Sequence, residues 1–414
     1  MPKEIRPVFA TTTISRQDTA RPVSTPFHRL RKTHKLDHRP PFDCVALLLQ
    51  GGGALGAYQA GVYEALAEAD LHPDWVAGIS IGGINSAIIA GNPREKRVAK
   101  LREFWELVSQ PPFGLDGNLA SLLPKGDAAR AFAQQMSASS SSIFGVPGFY
   151  APRFPSPMFQ PPGTLEATSF YDTTMLKGTL ERVVDFDLIN SEGHDVRLSL
   201  GSVNARSGQL VYFDTTTDVI RAEHVMASGG LPPGFPAVEI DGAHYWDGGV
   251  VSNTPLAWIG RQHPRRMLAF QVDLWAAPGA FPRNLQEVMI RVKEILNSSR
   301  TTYLTDSYKE LNQLYSTLAR FLEKVPEEFK RGEDAEYLMS VAVRRLHHLV
   351  NLVYRPTSPE GSSKEVEFSR TSVEERWRAG YRDTVHALRH PEVLEPPAGC
   401  DTGIFVFNFA KDGQ

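Results

Sequence analysis

The chain has 414 residues, enough for one large domain or two, and its 42% hydrophobic content is ample for a buried core. A formal net charge of −3 gives no global field that would draw nucleic acid or an anionic membrane. Two cysteines, Cys44 and Cys400, make no disulfide framework and no cysteine metal site, which fits a reducing, cytoplasmic setting; no apolar run reaches the ~20 residues of a membrane-spanning helix.

Residues 1–40 carry nine Lys/Arg against three Asp/Glu. They lack the apolar core of a secretory signal, and the composition predicts a solvated, disordered basic tail. Residues 45–49 form a short apolar run closed by glycine and predict a buried strand. Tyr58, Val62, Ala65, Leu66 and Ala69 then recur at helical spacing. Residues 75–77 predict a second short strand. The small apolar stretch 81–90 predicts a helix stopped by Gly91-Asn92-Pro93. Strand, helix, strand, helix predicts a parallel α/β arrangement.

Residues 137–163 differ in composition. A serine run at 139–142 is followed by Phe144, Phe149, Tyr150, Phe154, Met158 and Phe159 among many prolines. The stretch is too aromatic for a solvated linker and predicts an apolar loop insert bordering the functional site.

Strands are predicted again at 196–203 and 210–213, with Arg206-Ser207-Gly208 as the turn, and at 267–274. From 281 the pattern is mainly helical. Leu285, Val288, Met289, Val292, Ile295 and Leu296 mark one amphipathic face. Leu304, Tyr308, Leu311, Tyr315, Leu318 and Leu322 step by four and three, a seam that packs on its own domain or pairs with a second copy of the chain. Residues 347–354 predict a strand, Thr371-Ser372-Val373-Glu374-Glu375 offers overlapping capping boxes for a last helix, and 404–409 predict a final strand. The expected organisation is a basic tail at 1–40, an α/β domain at 41–280 carrying the 137–163 insert, and a mainly helical region at 281–414.

Three elements can carry chemistry. Gly78-Ile79-Ser80-Ile81-Gly82 is a G-x-S-x-G pentapeptide at a strand-to-helix junction. There a serine hydroxyl can be held on a sharp turn, with the positive end of the next helix aimed at developing negative charge. A serine needs a base to become a nucleophile. Gly51-Gly52-Gly53-Ala54-Leu55-Gly56 can offer unencumbered N–H groups to an oxyanion. It also satisfies G-x-G-x-x-G, the dinucleotide fingerprint, so an NAD(P)-dependent oxidoreductase is the rival reading. That reading wants an acid at the end of the second strand. Asp70 and Asp74 precede the strand, and Ser80 stands at its end. Tyr245-Trp246-Asp247-Gly248-Gly249 places a carboxylate before two glycines; such a group becomes a useful base when desolvation raises its pKa.

In this order the three elements resemble the patatin-like phospholipase family, whose pattern is a glycine-rich oxyanion loop, a G-x-S-x-G nucleophile and a distant Asp-Gly-[Gly/Ala]. Phe170-Tyr171-Asp172 and the stretch 227–236 are similar as well. The likeness covers about residues 45–274, and the region after 281 looks like the C-terminal extension of a bacterial branch. The resemblance implies a three-layer α/β/α fold with a mainly parallel sheet, plus a helical C-terminal region. It implies serine hydrolysis of lipid carboxylic esters through a Ser–Asp dyad. Peripheral contact at a membrane surface is expected, and with no H-E-x-x-H and no Cys pair in the sequence, no metal or cofactor is expected. Ser80 would be the nucleophile and Asp247 the base. Gly51, Gly52 and Gly53 would form the oxyanion hole, with Gly56, Gly78, Gly82, Gly248 and Gly249 supporting the turns. Many members have Arg or Lys before the loop's last glycine; this chain has Leu55, which removes a cation but no backbone donor. His263, His347, His348, His386 and His390 follow Asp247 in the order a Ser-Asp-His triad would need, but none lies in a distinctive loop. A non-catalytic binding protein on a hydrolase fold is the remaining alternative.

Overall fold

The computed structural model describes residues 29–111, 127–261, 264–356 and 363–409. In chain order, β1 (Cys44–Leu49) and β2 (Trp75–Ile79) are joined through α1 (Ala57–Glu68), and α2 (Ile81–Ala90) and α3 (Arg94–Val108) follow. α4 (Asp127–Phe144) leads to a small antiparallel pair, β3 (Ala151–Pro152) and β4 (Tyr171–Asp172), and then to α5 (Thr174–Val183) and α6 (Phe186–Ile189). Next come β5 (Arg197–Asn204), β6 (Leu210–Asp214), α7 (Ala222–Ser228), β7 (Val238–Ile240), β8 (Ala243–Asp247), α8 (Leu256–Arg261) and β9 (Arg266–Asp273). The chain continues with α9 (Leu285–Leu322), α10 (Glu333–Val341), β10 (Leu346–Val353), α11 (Arg370–Leu388) and β11 (Gly403–Asn408).

Nine strands build the main sheet in the order β11-β10-β9-β1-β2-β5-β8-β7, with β6 also paired to β5. The pairs from β11 through to β5 are parallel, and those that β6, β8 and β7 make are antiparallel. β1 is central, and Val45, Ala46, Leu47, Leu48 and Leu49 are fully buried. Such an unbroken apolar run is what a parallel strand covered on both faces requires. Leu47, Leu49, Tyr58, Leu66, Ile84 and Trp377 belong to the core on one face. Ala46, Leu48, Leu256, Ile259, Tyr308 and Leu349 form the core on the other, under α8 and α9. The result is the expected three-layer α/β/α fold.

The helical C-terminal region also feeds this sheet, because β10 and β11 extend it in parallel beyond β9. The two apolar seams expected at 285–296 and 304–322 lie on one continuous helix, α9. α11 crosses α1 at glycines. A Cβ built on Gly61 would lie 1.8 Å from Trp377 O, and one on Gly380 would lie 1.9 Å from Tyr58 O.

Several local expectations need correction. The serine run at 139–142 is not loop but the end of α4. Ser142 Oγ donates to Ala138 O at 2.9 Å, so a helix can satisfy a serine hydroxyl through its own backbone. The cap of α11 is Ser369, whose hydroxyl accepts from Ser372 N, two residues before the expected start. Of the basic tail, residues 1–28 lie outside the described residues. The rest packs on the domain: Arg31 N donates to Arg389 O, Arg389 Nε donates back to Arg31 O, and Arg39 pairs with Asp74.

Candidate active site

β1 and β2 are parallel neighbours with Leu49 opposite Gly78, so the glycine loop and the serine turn leave the sheet at the same end. In open α/β sheets that carboxyl end, beside a reversal of strand order, is where ligands sit. Ser80 caps α2 with φ 59 and ψ −129, a backbone conformation strained for any residue but glycine. Its neighbours explain why the turn needs glycines. A Cβ on Gly78 would lie 2.2 Å from Gly82 O, and one on Gly82 would lie 2.2 Å from Leu49 O. Ser80 N donates to Ser228 O at 2.9 Å and lies 3.2 Å from Ser228 Oγ, which itself donates to Gly201 O.

Asp247 ends β8, where its antiparallel register with β5 sets it opposite Ser202. Gly248 allows the close approach, since a Cβ there would lie 2.6 Å from Gly201 O. Asp247 is 1% exposed, and its Oδ1 accepts from Gly249 N at 2.7 Å. Burial pushes its carboxyl up to about 6, against the opposing pull of hydrogen bonds from the Ser80 hydroxyl and Gly249 N. The site therefore sets the serine, on a turn at a helix N-terminus, beside a desolvated carboxylate.

The glycine loop closes the third side. A Cβ on Gly51 would lie 2.9 Å from Ser80 Cβ. Gly51 itself is not free to donate: its N–H goes to Asn253 Oδ1 at 3.1 Å. Gly52 N and Gly53 N have no acceptor among the described residues, and Gly53 has φ 56. Gly56 lets the loop lie against α2, because a Cβ there would lie 2.5 Å from Ile81 Cγ1. Leu55 is fully buried in the core. Of the three glycines expected to face an oxyanion, Gly52 and Gly53 thus keep an N–H without an acceptor among the described residues, and Gly51 does not.

A family model described as patatin-like phospholipase matches residues 47–257, just over half of the chain, and covers the loop, Ser80 and Asp247. The chain belongs to the patatin-like phospholipase family. A second family model, described as patatin phospholipase, matches residues 295–399 and so takes in most of α9 and all of β10 and α11. Among curated proteins no match was found. Among solved structures, VipD from Legionella pneumophila is 14% identical with a TM-score of 0.35, over 88% of this chain and 72% of VipD. The type III effector ExoU is 12% identical with a TM-score of 0.32, over 86% of this chain and 55% of ExoU.

Two site residues of this patatin-like chain were missed in the sequence. Asn253 grips Gly51 through both side-chain atoms and reaches Asn297 on α9 at 3.2 Å. Ser228 holds the Ser80 turn, although it falls in the stretch 227–236 that carried part of the resemblance. Both are single polar residues far from their partners in sequence, with no motif spacing to flag them.

The histidines fall elsewhere. His347 bonds Tyr308 Oη and Pro264 O, and burial pulls its pKa down to about 4. It is in register with Met267, five residues before Leu352, which is level with Val272 and hence with Leu49 and Gly78. That is about 17 Å of strand rise from the serine end. His348 bonds Val393 O. His386 and His390 pack on Phe409. His224 accepts from Arg221 N at the start of α7. His263 lies outside the described residues. Among the described residues, no helix is long and apolar enough to cross a membrane and no acidic, His or Cys cluster fits a metal.

The aromatic insert has a buried base and an exposed tip. Phe149 and Tyr150 pack on Phe235, and beyond the insert's end Phe170 N and Tyr171 N donate to Pro233 O and Gly234 O. This ties the insert to the segment that continues from Ser228. Phe154 is 97% exposed, Met158 81% and Phe159 82%.

Proposed function

We propose that the protein is a serine acyl hydrolase that cleaves carboxylic esters of lipids through a Ser80–Asp247 dyad. The observation that carries the reading is a buried Asp247 whose carboxyl is pushed up by burial to about 6, close enough to Ser80 that the serine hydroxyl pulls that value back down. A base of that strength is ionised at neutral pH yet holds a proton well enough to pass it on.

On this reading, Ser80 Oγ attacks the ester carbonyl carbon while its proton moves to Asp247. The carbonyl oxygen becomes an oxyanion facing Gly52 N and Gly53 N, at the positive end of α2. Collapse breaks the bond to the alcohol, which leaves with the proton from Asp247, and an acyl-Ser80 ester remains. Water then attacks that ester, gives its proton to Asp247, and a second collapse returns the proton to Ser80 and frees the fatty acid. The bare aromatic tip of the insert supports peripheral contact with a lipid surface.

The test is hydrolysis of a lipid panel and fluorophosphonate labelling, wild type beside Ser80→Ala. Labelled wild-type protein and unlabelled variant are expected. Equal labelling of both would move the nucleophile elsewhere.

A further inference from the structure

The layer between the sheet and α9 changes character along the strands. Toward the strand N-termini it is apolar, with Met267, Ala269, Leu349 and Tyr308 buried. On the same strand faces, two and four residues further on, stand Gln271, Asp273 and Asn351. Gln271 is directly opposite Asn351, which in turn is opposite Asn408 and donates to its Oδ1 at 2.8 Å. α9 changes in step, presenting Thr305, Thr302, Thr301 and Ser298. These side chains, with Trp275 and Arg355, line a cavity of about 220 Å³.

Its walls are rich in acceptors. Asp273 Oδ2 accepts from Gln271 Nε2 at 3.1 Å, but Asp273 Oδ1, Gln271 Oε1 and Asn351 Oδ1 have no partner among the described residues. Asp273 is 6% exposed and Gln271 1%. The hydroxyls of Ser298, Thr302 and Thr305 donate back to carbonyls of their own helix, so each turns lone pairs outward. Buried acceptors in this number call for a donor-rich occupant. A primary ammonium supplies three donors and the charge to match a carboxylate. The cavity is far larger than a bare metal ion.

We propose that this cavity, whose lining includes neither Ser80 nor Asp247, is a second binding site that takes a small organic ammonium compound whose amine donates to Asp273, Gln271 and Asn351. The site stands at the carboxyl ends of parallel strands, where such sheets bind ligands. The other charged groups on its wall are engaged. Asp306 and Lys309 on α9 face each other at 3.6 Å, and Arg355 after β10 donates to Phe409 O. Burial pushes the Asp273 carboxyl up to about 7, so affinity falls as pH drops through that value and the carboxylate is neutralised.

The test is calorimetric titration of the full-length protein at pH 8 with ethanolamine and 1,4-diaminobutane, beside glycerol and calcium chloride. At least one amine is expected to bind. Its affinity should fall about tenfold or more in Asp273→Asn and at pH 6, the worth of one lost charged hydrogen bond. Gln271→Leu, which removes an acceptor and also the Nε2–H that donates to Asp273, should weaken binding too, and circular dichroism checks that each variant is folded. No heat from either amine would mean a cavity holding water only and would overturn the proposal. Equal binding of glycerol or calcium, or wild-type affinity in the folded variants, would overturn it as well.

Discussion

Asn253 holds Gly51 from both sides: its Oδ1 accepts from Gly51 N at 3.1 Å while its Nδ2 donates to Gly51 O at 3.0 Å. Trp275 Nε1 adds a second bond to the same carbonyl. The first glycine of the loop is thereby a fixed post, and the next two amides are left for a ligand. Asn253→Ala would strand a buried N–H and loosen the loop. We expect a stability loss of roughly 1–3 kcal/mol and a kcat loss of about 10- to 100-fold with KM little changed, as misplacement of a reacting group predicts. Denaturant unfolding and turnover on a soluble ester check this; an unchanged kcat would mean that Gly51 needs no holding.

With Asp247 as the base, activity and stability should respond to pH in opposite senses. Its folded carboxyl, at about 6, lies above its ordinary 3.8, so between these values the native state binds the extra proton and stability falls as pH rises. The penalty is complete above about 6 and amounts to roughly 3 kcal/mol. Activity needs the ionised base, so kcat/KM should drop as pH falls through about 6. Asp247→Asn is expected to melt higher than wild type at pH 8 while losing about 10²–10⁴ in kcat. A variant that melts lower would contradict the buried-charge account.

Ser80 carries strain that its role explains. At φ 59 and ψ −129 a side chain is disfavoured, so Ser80→Gly should gain about 1 kcal/mol after the entropy cost of glycine. Ser80→Ala keeps the strain and removes the donor that helps Asp247 stay ionised, so it should gain nothing at neutral pH. Both variants should lose fluorophosphonate labelling. Thermal melts of the pair separate backbone strain from the chemistry of the hydroxyl.

Much of the site was legible because its chemistry is local. The loop, the serine turn and Asp247 each sit within a few residues of the glycines that make their backbone possible, and Gly78, Gly82 and Gly248 prove to be close-approach positions. The buried strands were legible for the same reason: residues 45–49, 267–274 and 404–409 are short apolar runs, and each matches a strand to within a residue or so. What escaped depends on distant chain. β7 and β8 turn on Asp241-Gly242 and pair with each other, but it is β8's pairing with the distant β5 that brings both into the main sheet. The serine run at 139–142 looked like loop because serine is a weak helix former, and tertiary contacts override that: Ala138 and Ser141 are buried, and Gln134 on the same helix donates to Ser372. Ser228 and Asn253 are ordinary polar residues until the fold brings them to Ser80 and Gly51.

The insert tip should matter for packed lipid more than for dissolved ester. Phe154, Met158 and Phe159 are exposed, whereas Phe149 and Tyr150 anchor the base in the core. Changing the three tip residues to serine therefore leaves the anchor intact. Loss of their partial burial in a lipid surface should lower turnover on vesicles by about tenfold or more, with a short soluble ester affected by less than about twofold. Equal losses on both substrates would assign the tip a structural role.

Gly61 and Gly380 join the C-terminal region to α1, the helix that follows the glycine loop. Neither has room for a methyl group, because each faces a backbone oxygen of the other helix: an added Cβ would lie 1.8 Å from Trp377 O at Gly61 and 1.9 Å from Tyr58 O at Gly380. Backbone cannot rotate away as a side chain can, so Gly380→Ala must push α11 off α1. Overpacking of this kind costs about 1–3 kcal/mol or more, against which the helix propensity gained from alanine is at most about 1 kcal/mol. The displacement would reach Trp377, which is buried and stacks on Arg102, and Tyr58, whose hydroxyl donates to Asp383. We expect Gly380→Ala to lower the melting temperature by several degrees and to expose α11 to proteolysis before the central sheet. Hydrogen exchange would show whether α1, and with it the loop from Gly51 to Gly56, loosens at the same time. A melting temperature equal to wild type would mean that the two helices do not meet as closely as their glycines allow.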